Sequence, residues 1–436
     1  MTKPVKLALA AIVCFAPLLQ VAAEVDLFDI QAALLLGETT VKVPAEAQEA
    51  DLAAIRDCIK GAKGITLDLS ATKIKVISDS AFKGYTALKA VILPSTLTSI
   101  GSSAFWKCTS LTSVIIPAGV TNIGERAFLG CENLTSITIP ASVTSIREKA
   151  FYGCLNLVKI DVAKGSKSYV SVDGVLFSKD KATLVCFPAG KGGEYYDVPG
   201  GTVTIDDSAF YKCTRLKVLK LPSGVKSIGD SAFSHCENLS LIKIPDSVTS
   251  IGAEAFWGCE SLSSLTIPSG VTNIGAEAFW GCDKLTDKDG FVIVNGILFY
   301  YAGNAQKVVI PADVTSIGDE AFEWCESLTS IILPEGVTSI GARAFGGCKS
   351  LTSITIPSSV TSIGEWAFSE CKNLASLTIP AGVTSIGMLA FWECKSLTSV
   401  TFVRTEGWYL DEGFTQSVGS GELASRLKAG AALYMR

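Results

Sequence analysis

The chain is 436 residues long, 48% hydrophobic and 18% charged, with a formal net charge of −5 and a single histidine. A mildly acidic chain without a basic run argues against nucleic acid and anionic membrane surfaces as partners. With so little charge, Ser and Thr must carry much of the surface, and the length suits a chain that grows by repetition better than one compact core.

The opening, MTKPVKLALAAIVCFAPLLQVAA, places Lys3 and Lys6 before an apolar stretch, Leu7–Leu19, with Val21-Ala22-Ala23 ahead of Glu24. Residues 1–23 therefore read as a secretory signal peptide. The stretch is shorter than the ~20 residues of a spanning helix, and no later stretch is long enough for one. The protein is expected to be secreted or at the cell surface. Removing two lysines takes the charge from −5 to −5 − 2 = −7.

Residues 24–64 read as an N-terminal cap. LFDIQAALLLG predicts a short helix ending at Gly37, TVKVP a strand, and EAQEADLAAIRDCIKG an amphipathic helix ending at Gly61. A first repeat with its core open to water needs such an atypical cover.

From 65 to 402 the chain repeats. Leu351–Asn373, LTSITIPSSVTSIGEWAFSECKN, stands for a 23-residue unit phased by Ala-Phe, with Phe at 82, 105, 128, 151, 210, 233, 256, 279, 322, 345, 368 and 391. Relative to Phe, position −5 is Ile, −1 Ala and +6 Leu in all twelve copies; +3 is Cys in eleven and −11 Pro in eleven. In LTSITIP, Leu351, Ile354 and Ile356 are expected to face inward, with Thr352, Ser353 and Thr355 outward, as in a half-buried strand. VTSIG adds a second short extended run before the Ala-Phe turn. One unit cannot bury these apolar residues alone; stacked units form continuous interior columns. The fold class is thus a repeat solenoid of about twelve rungs with parallel β-strands, a Ser/Thr-rich strand face and capped ends.

Two insertions interrupt the register, at about 164–198 and 287–310. Asp173-Gly174 and Asn295-Gly296 are tight-turn dipeptides between apolar runs, which predicts β-hairpins extending from the solenoid edge. Residues 403–436 read as a C-terminal cap, with Trp408, Tyr409 and Phe414 ahead of a helix over Glu422–Lys428.

The pattern LxxIxIPxxVTSIGxxAFxxCxx over roughly 65–402 resembles the BspA-like leucine-rich repeat of bacterial surface and secreted proteins. That resemblance implies a leucine-rich repeat fold, and adhesion or recognition rather than catalysis.

No catalytic or metal-ligating constellation stands out, and no cofactor is expected. Eleven of the fourteen cysteines share one repeat position. A straight column does not converge on zinc, and strand spacing does not suit consecutive disulfides, so the column reads as buried free thiol. Cys58 and Cys186 lie outside it. His235 beside Cys236 suggests a nucleophile and base, but Cys236 belongs to the buried column and His235 reads as a surface variant. Glu125, Glu254, Glu277, Asp319 and Glu365 read as solvated charge.

Position +1 after the repeat Phe carries Trp106, Tyr152, Tyr211, Trp257, Trp280 and Trp392. Clustered exposed aromatics mark recognition surfaces; rings folded over the seam between rungs would instead serve packing. Lys217, Lys220 and Lys243 interrupt the polar strand face and form a second candidate. The expected partner is a protein or glycan of the extracellular matrix or a cell surface. A structural envelope-associated repeat protein without a dedicated ligand is the alternative.

Overall fold

A computed structural model describes residues 27–410, 419 and 422–435; the expected signal peptide and Phe414 lie outside them. The chain forms two units, the first ending at Leu216 and the second beginning at Lys217. Each is a stack of parallel-strand rungs.

In the first unit, helices Phe28–Leu35 and Leu52–Cys58 flank a strand, Thr40–Lys42. That strand pairs in parallel with Ile65–Asp68, which pairs with Leu88–Ile92 and through it with Ser113–Ile115. A second ladder of two-residue strands runs Val76–Ile77, Ser99–Ile100, Asn122–Ile123 and Ser145–Ile146. Inside, the rings of Phe82, Phe105, Phe128 and Phe151 stack at 5.5, 5.3 and 5.9 Å.

The second unit repeats this plan. Lys307–Val309, Ser330–Ile332 and Ser353–Thr355 pair in parallel, as do Ser316–Ile317, Ser339–Ile340, Ser362–Ile363 and Ser385–Ile386. Phe345 and Phe368 stack at 5.2 Å with planes 10° apart. Leu351, Ile354 and Ile356 are buried, whereas Thr352, Ser353 and Thr355 are exposed. After the last repeat, Leu433–Met435 closes the short-strand ladder by pairing antiparallel with Ser385–Ile386.

A third ladder joins the Ala-Phe turns. The residues two before and two after the repeat Phe have left-handed backbone in all twelve copies, only six of these 24 positions being glycine. Alternating right- and left-handed residues turn every second N–H towards the next rung. Ser103, Phe105 and Lys107 N–H groups donate to the carbonyls of Glu125, Ala127 and Leu129 at 2.8, 2.8 and 2.6 Å. Arg343, Phe345 and Gly347 do the same to Glu365, Ala367 and Ser369. The strain of about 1–2 kcal/mol for a non-Gly residue in this region is offset by one backbone hydrogen bond per donor. The glycine of VTSIG has a separate cause: a Cβ on Gly364 would lie 2.4 Å from the Ala342 nitrogen.

The cysteine column does more than fill space. Cys108, Cys131 and Cys154 Sγ donate to the Phe82, Phe105 and Phe128 carbonyls at 3.1, 3.2 and 3.2 Å, and Cys348 and Cys371 repeat this in the second unit. All thirteen described cysteines are free thiols.

Two expectations need correction. The turns number about 16 rather than twelve, in part because the hairpins are rungs and not extensions from an edge. In the first, Tyr169–Val172 pairs antiparallel with Val175–Ser178, which pairs with Thr183–Cys186, and this last strand joins Thr204–Ile205 in parallel. Phe187 occupies the Phe column, its N–H donating to the Ala209 carbonyl at 2.7 Å and its ring 5.0 Å from Phe210. In the second, Ile297–Tyr301 pairs antiparallel with Phe291–Val294 and parallel with Ser316–Ile317. Tyr301 takes the Phe position, its N–H on the Ala321 carbonyl at 3.0 Å. Rungs in the short-strand ladder need only two paired residues, so one hairpin arm suffices. Positive φ at Asp173-Gly174 and Asn295-Gly296 gives the left-handed pairs of type I′ turns.

The strand face is likewise not wholly polar. Ile92 and Ile115 are paired neighbours exposed by 43% and 80%, and Val309 and Ile332 by 65% and 62%. They stand where Thr355 stands in its own rung, and a position facing solvent does not select against an apolar side chain strongly enough to exclude it.

Candidate binding surface

The residue after each repeat Phe lies between two inward neighbours, the Phe and the Cys two positions on, and occupies the rim. In the first unit, two cations approach the Trp106 ring, with Lys83 Nζ 3.8 Å and Lys107 Nζ 5.3 Å from its centre. Trp106 is half-buried and its Nε1 is buried without an acceptor. Tyr152 and Tyr211 stack at 3.5 Å, with Lys149 and Lys212 Nζ at 5.9 and 5.6 Å from the respective rings.

In the second unit the rings form a row. His235 lies 5.1 Å from Trp257, Trp257 meets Trp280 edge-on at 5.5 Å, and Trp280 is 6.0 Å from Tyr300. Trp257 is half-buried with Nε1 lacking an acceptor, while Trp280 is 41% exposed. Further along, Trp392 is 41% exposed and meets Trp366 edge-on at 5.5 Å. Trp324 is 54% exposed, with Lys349 Nζ 5.5 Å from its centre. Packing and exposure therefore divide the row: half-buried rings seal rungs and exposed ones present a face.

The strand-face lysines are placed differently. Lys220 and Lys243 are exposed partners in the Val218–Lys220 and Leu241–Lys243 pair, and Lys217 is exposed beside the first strand. Strand register thus holds the Lys220 and Lys243 side chains next to each other.

The cations against the rings of Trp106, Tyr152, Tyr211 and Trp324 were not singled out in the sequence. Their signal was present: Lys83 is 23 residues before Trp106, one repeat away in the same column. His235, read as a surface variant, belongs to the aromatic row, while Cys236 beside it is fully buried.

Nor are all the turn carboxylates simply solvated. Asp319 Oδ1 accepts the Ala342 N–H at 2.6 Å, and Asp79 and Asp230 accept from Ser102 and Ala253. Burial, then the Glu320 carboxyl and the charges of Glu254 and Glu323, push Glu277 up to about 7. Glu323, crowded in the same way, rises to about 6.

Among the described residues no group of three or more His, Cys, Asp or Glu side chains is placed to hold a metal ion, and no helix is long and apolar enough to cross a membrane.

The profile of the BspA type leucine rich repeat region, in six copies, matches residues 60–180, 189–289 and 293–407. No curated protein matches the sequence. Among solved structures, a leucine-rich repeat protein from Eubacterium ventriosum is 26% identical, with 82% of this chain and 89% of that one covered and a TM-score of 0.46. The pneumococcal vaccine antigen PcpA is 25% identical over 72% of this chain and 74% of its own, with a TM-score of 0.46. A leucine rich cell surface protein from Faecalibacterium prausnitzii is 25% identical over 88% and 91%, with a TM-score of 0.40.

Proposed function

The chain belongs to the BspA type leucine rich repeat family, and from that premise we propose that it is an exported, non-enzymatic recognition or adhesion protein acting outside the cell or at its surface. Its partner is a protein or glycan of the extracellular matrix or of another cell. The observation that carries this reading is the aromatic rim, above all Trp280 and Trp392, each 41% exposed beside another indole. Exposed tryptophans offer large rigid contact area and are enriched among binding anchors. The signal peptide pattern over residues 1–23 supports export.

The test presents the chain lacking residues 1–23 to panels of extracellular-matrix proteins and glycans, then repeats it with Trp257→Ala and Trp280→Ala. Saturable binding that weakens by about 2 kcal/mol or more on loss of an anchor supports the rim. Binding that survives there but fails when Lys217, Lys220 and Lys243 are changed moves the site to the strand face. No saturable binding to any panel member favours a structural envelope-associated role, and turnover of any substrate refutes the non-enzymatic reading.

A further inference from the structure

The turn ladder is interrupted in the first unit. In each of the three rungs before Phe151, the N–H groups at positions −2, 0 and +2 find carbonyls on the next rung; Arg126, Phe128 and Gly130, for example, donate to Glu148, Ala150 and Tyr152 at 3.0, 2.9 and 2.8 Å. The equivalent N–H groups of Lys149, Phe151 and Gly153 have no acceptor among the described residues. The cause is the first hairpin. The rung that follows Phe151 is Val185–Ala189, which departs from the Ala-Phe turn and carries Pro188 where a rim aromatic would stand. Tyr152 stacks instead on Tyr211, 59 residues on.

Between these rungs lies a cleft of about 110 Å³. One wall is the Lys149–Gly153 turn, left-handed at Lys149 and Gly153, with Arg147 and Glu148 beside it. Alternating left- and right-handed backbone of this kind gathers N–H groups into an anion-binding concavity. The other wall holds Asp206, Asp207 and Ser208. Ser208 lines the cleft and is 9% exposed, and its Oγ is buried without a partner. A buried polar group in that state calls for an explanation. Phe151, Leu157 and Phe187 supply apolar lining.

The two walls have opposite preferences. An anion alone would suit the N–H row and Arg147 but meet Glu148, Asp206 and Asp207; a cation alone would suit those carboxylates but meet the row, Arg147 and Lys149. We propose that the cleft binds a small zwitterion, a free α-amino acid with a short side chain, its carboxylate on the Lys149, Phe151 and Gly153 N–H groups and its ammonium on the Asp206 carboxylate and Ser208 Oγ. The volume restricts the side chain to about the size of a methyl or hydroxymethyl group. Burial, with the charges of Asp207 and Glu148, raises the Asp206 carboxyl, and an incoming ammonium would relieve that crowding.

The second hairpin makes the contrast. Glu277, Phe279 and Gly281 N–H groups also lack acceptors among the described residues. There the half-buried Glu277, Glu320 and Glu323 carboxyls crowd one another at the turn, and no arginine of the same turn stands beside the row as Arg147 does in the first unit.

The experiment titrates glycine and L-alanine into the ¹⁵N-labelled chain lacking residues 1–23, with acetate and methylammonium as single-charge probes, by calorimetry and amide chemical shift. Saturation at one equivalent is expected, with the Lys149, Phe151 and Gly153 amides shifting. Acetate and methylammonium should bind about tenfold or more weakly, because each leaves one charged wall unpaired. Ser208→Ala removes a hydroxyl that bonds to nothing and should leave the melting temperature unchanged while weakening L-alanine; Asp206→Asn should weaken it about tenfold or more. The proposal is overturned if the three amides do not move at the solubility limit of L-alanine, if acetate binds as well as L-alanine, or if Ser208→Ala binds as wild type. Should Asp206→Asn not fold, the wild-type shifts and Ser208→Ala decide alone.

Discussion

Phe256→Ala tests whether the interior column holds the stack. Phe256 is fully buried, with its ring 5.1 Å from Phe233 and 5.8 Å from Phe279 and near-parallel to the latter at 12°. Truncation removes both ring contacts and leaves a void the size of the ring. Phe→Ala in a core costs about 3–5 kcal/mol, and where a site falls in that range depends on how far its surroundings collapse. Here the backbone is pinned on both sides: the Phe256 N–H donates to the Ala278 carbonyl at 2.8 Å, and the Ala255 carbonyl accepts from the Phe233 N–H at 2.7 Å. The expected loss is therefore in the upper half, about 4–5 kcal/mol. Of that, the two ring pairs account for about 1–3 kcal/mol. Thr355→Ala, on the exposed strand face, should change stability by less than about 0.5 kcal/mol. Rungs contact only their neighbours, so the loss is local and a single melting temperature would understate it. Urea unfolding read with amide exchange at Glu254, Phe256 and Gly258 is the appropriate assay. A loss below about 1 kcal/mol, or equal losses for the two variants, would refute the assignment of inner and outer faces.

Denaturing thiol titration of the chain lacking residues 1–23 should count most of its thirteen cysteines as reactive, and the native protein should react slowly, since burial pushes Cys108, Cys325 and Cys394 up to about 12; ten or more in disulfides would contradict this. Glu277 rises from an ordinary 4.5 to about 7 on folding, so its stabilising contribution is complete below pH 4.5 and is lost as pH rises through 7. Glu277→Gln should flatten that part of the stability profile and raise the melting temperature at pH 8. At Lys107, with φ of 54°, Lys107→Gly should be near neutral while the β-branched Lys107→Val costs about 1–2 kcal/mol, as read by thermal melts.

The rungs were legible because their physics is repetitive. A residue facing the interior meets its own copy above and below, so Ile363, Phe368 and Cys371 are constrained alike in every rung and the period shows. Segments before the first repeat carry ordinary local signals, and Thr40–Lys42 and Phe28–Leu35 fall where TVKVP and LFDIQAALLLG place them. The hairpins were legible as hairpins from Asp173-Gly174 and Asn295-Gly296 but not as rungs. Their columns are filled by residues outside the Ala-Phe pattern, Phe187 after a cysteine and Tyr301 after a tyrosine. Phe187 does lie 23 residues before Phe210, but one matched position does not reveal a rung. At the rim, types were legible and geometry was not. No spacing in the sequence distinguishes half-buried Trp257 from exposed Trp280, because that difference is set by which rings lie on the neighbouring turns.

Regularity itself explains where reactive groups collect. The turns at Phe82, Phe105, Phe128, Phe233, Phe256, Phe322, Phe345 and Phe368 each hand three N–H groups to carbonyls of the following turn, so the ladder has a direction. At its start the exposed acceptor is the carbonyl side, and the Arg56 guanidinium lies 3.5 Å from the Ala81 carbonyl. At its end the exposed donor is the N–H side, and Leu389 N–H finds the Gly430 carbonyl at 2.9 Å. A cation near the first and a carbonyl on the second are opposite chemistries matched to opposite ends, which a symmetric cover could not supply. At the breaks after Phe151 and Phe279 no such cover exists among the described residues. Lys149, Phe151 and Gly153 face a cleft lined by Ser208, whose hydroxyl is unsatisfied, and Glu277, Phe279 and Gly281 stand where crowding pushes the Glu277 carboxyl up to about 7. Unpaired turn N–H groups stand at the breaks after Phe151 and Phe279, and the chemistry around each break decides whether it can take a ligand or respond to pH.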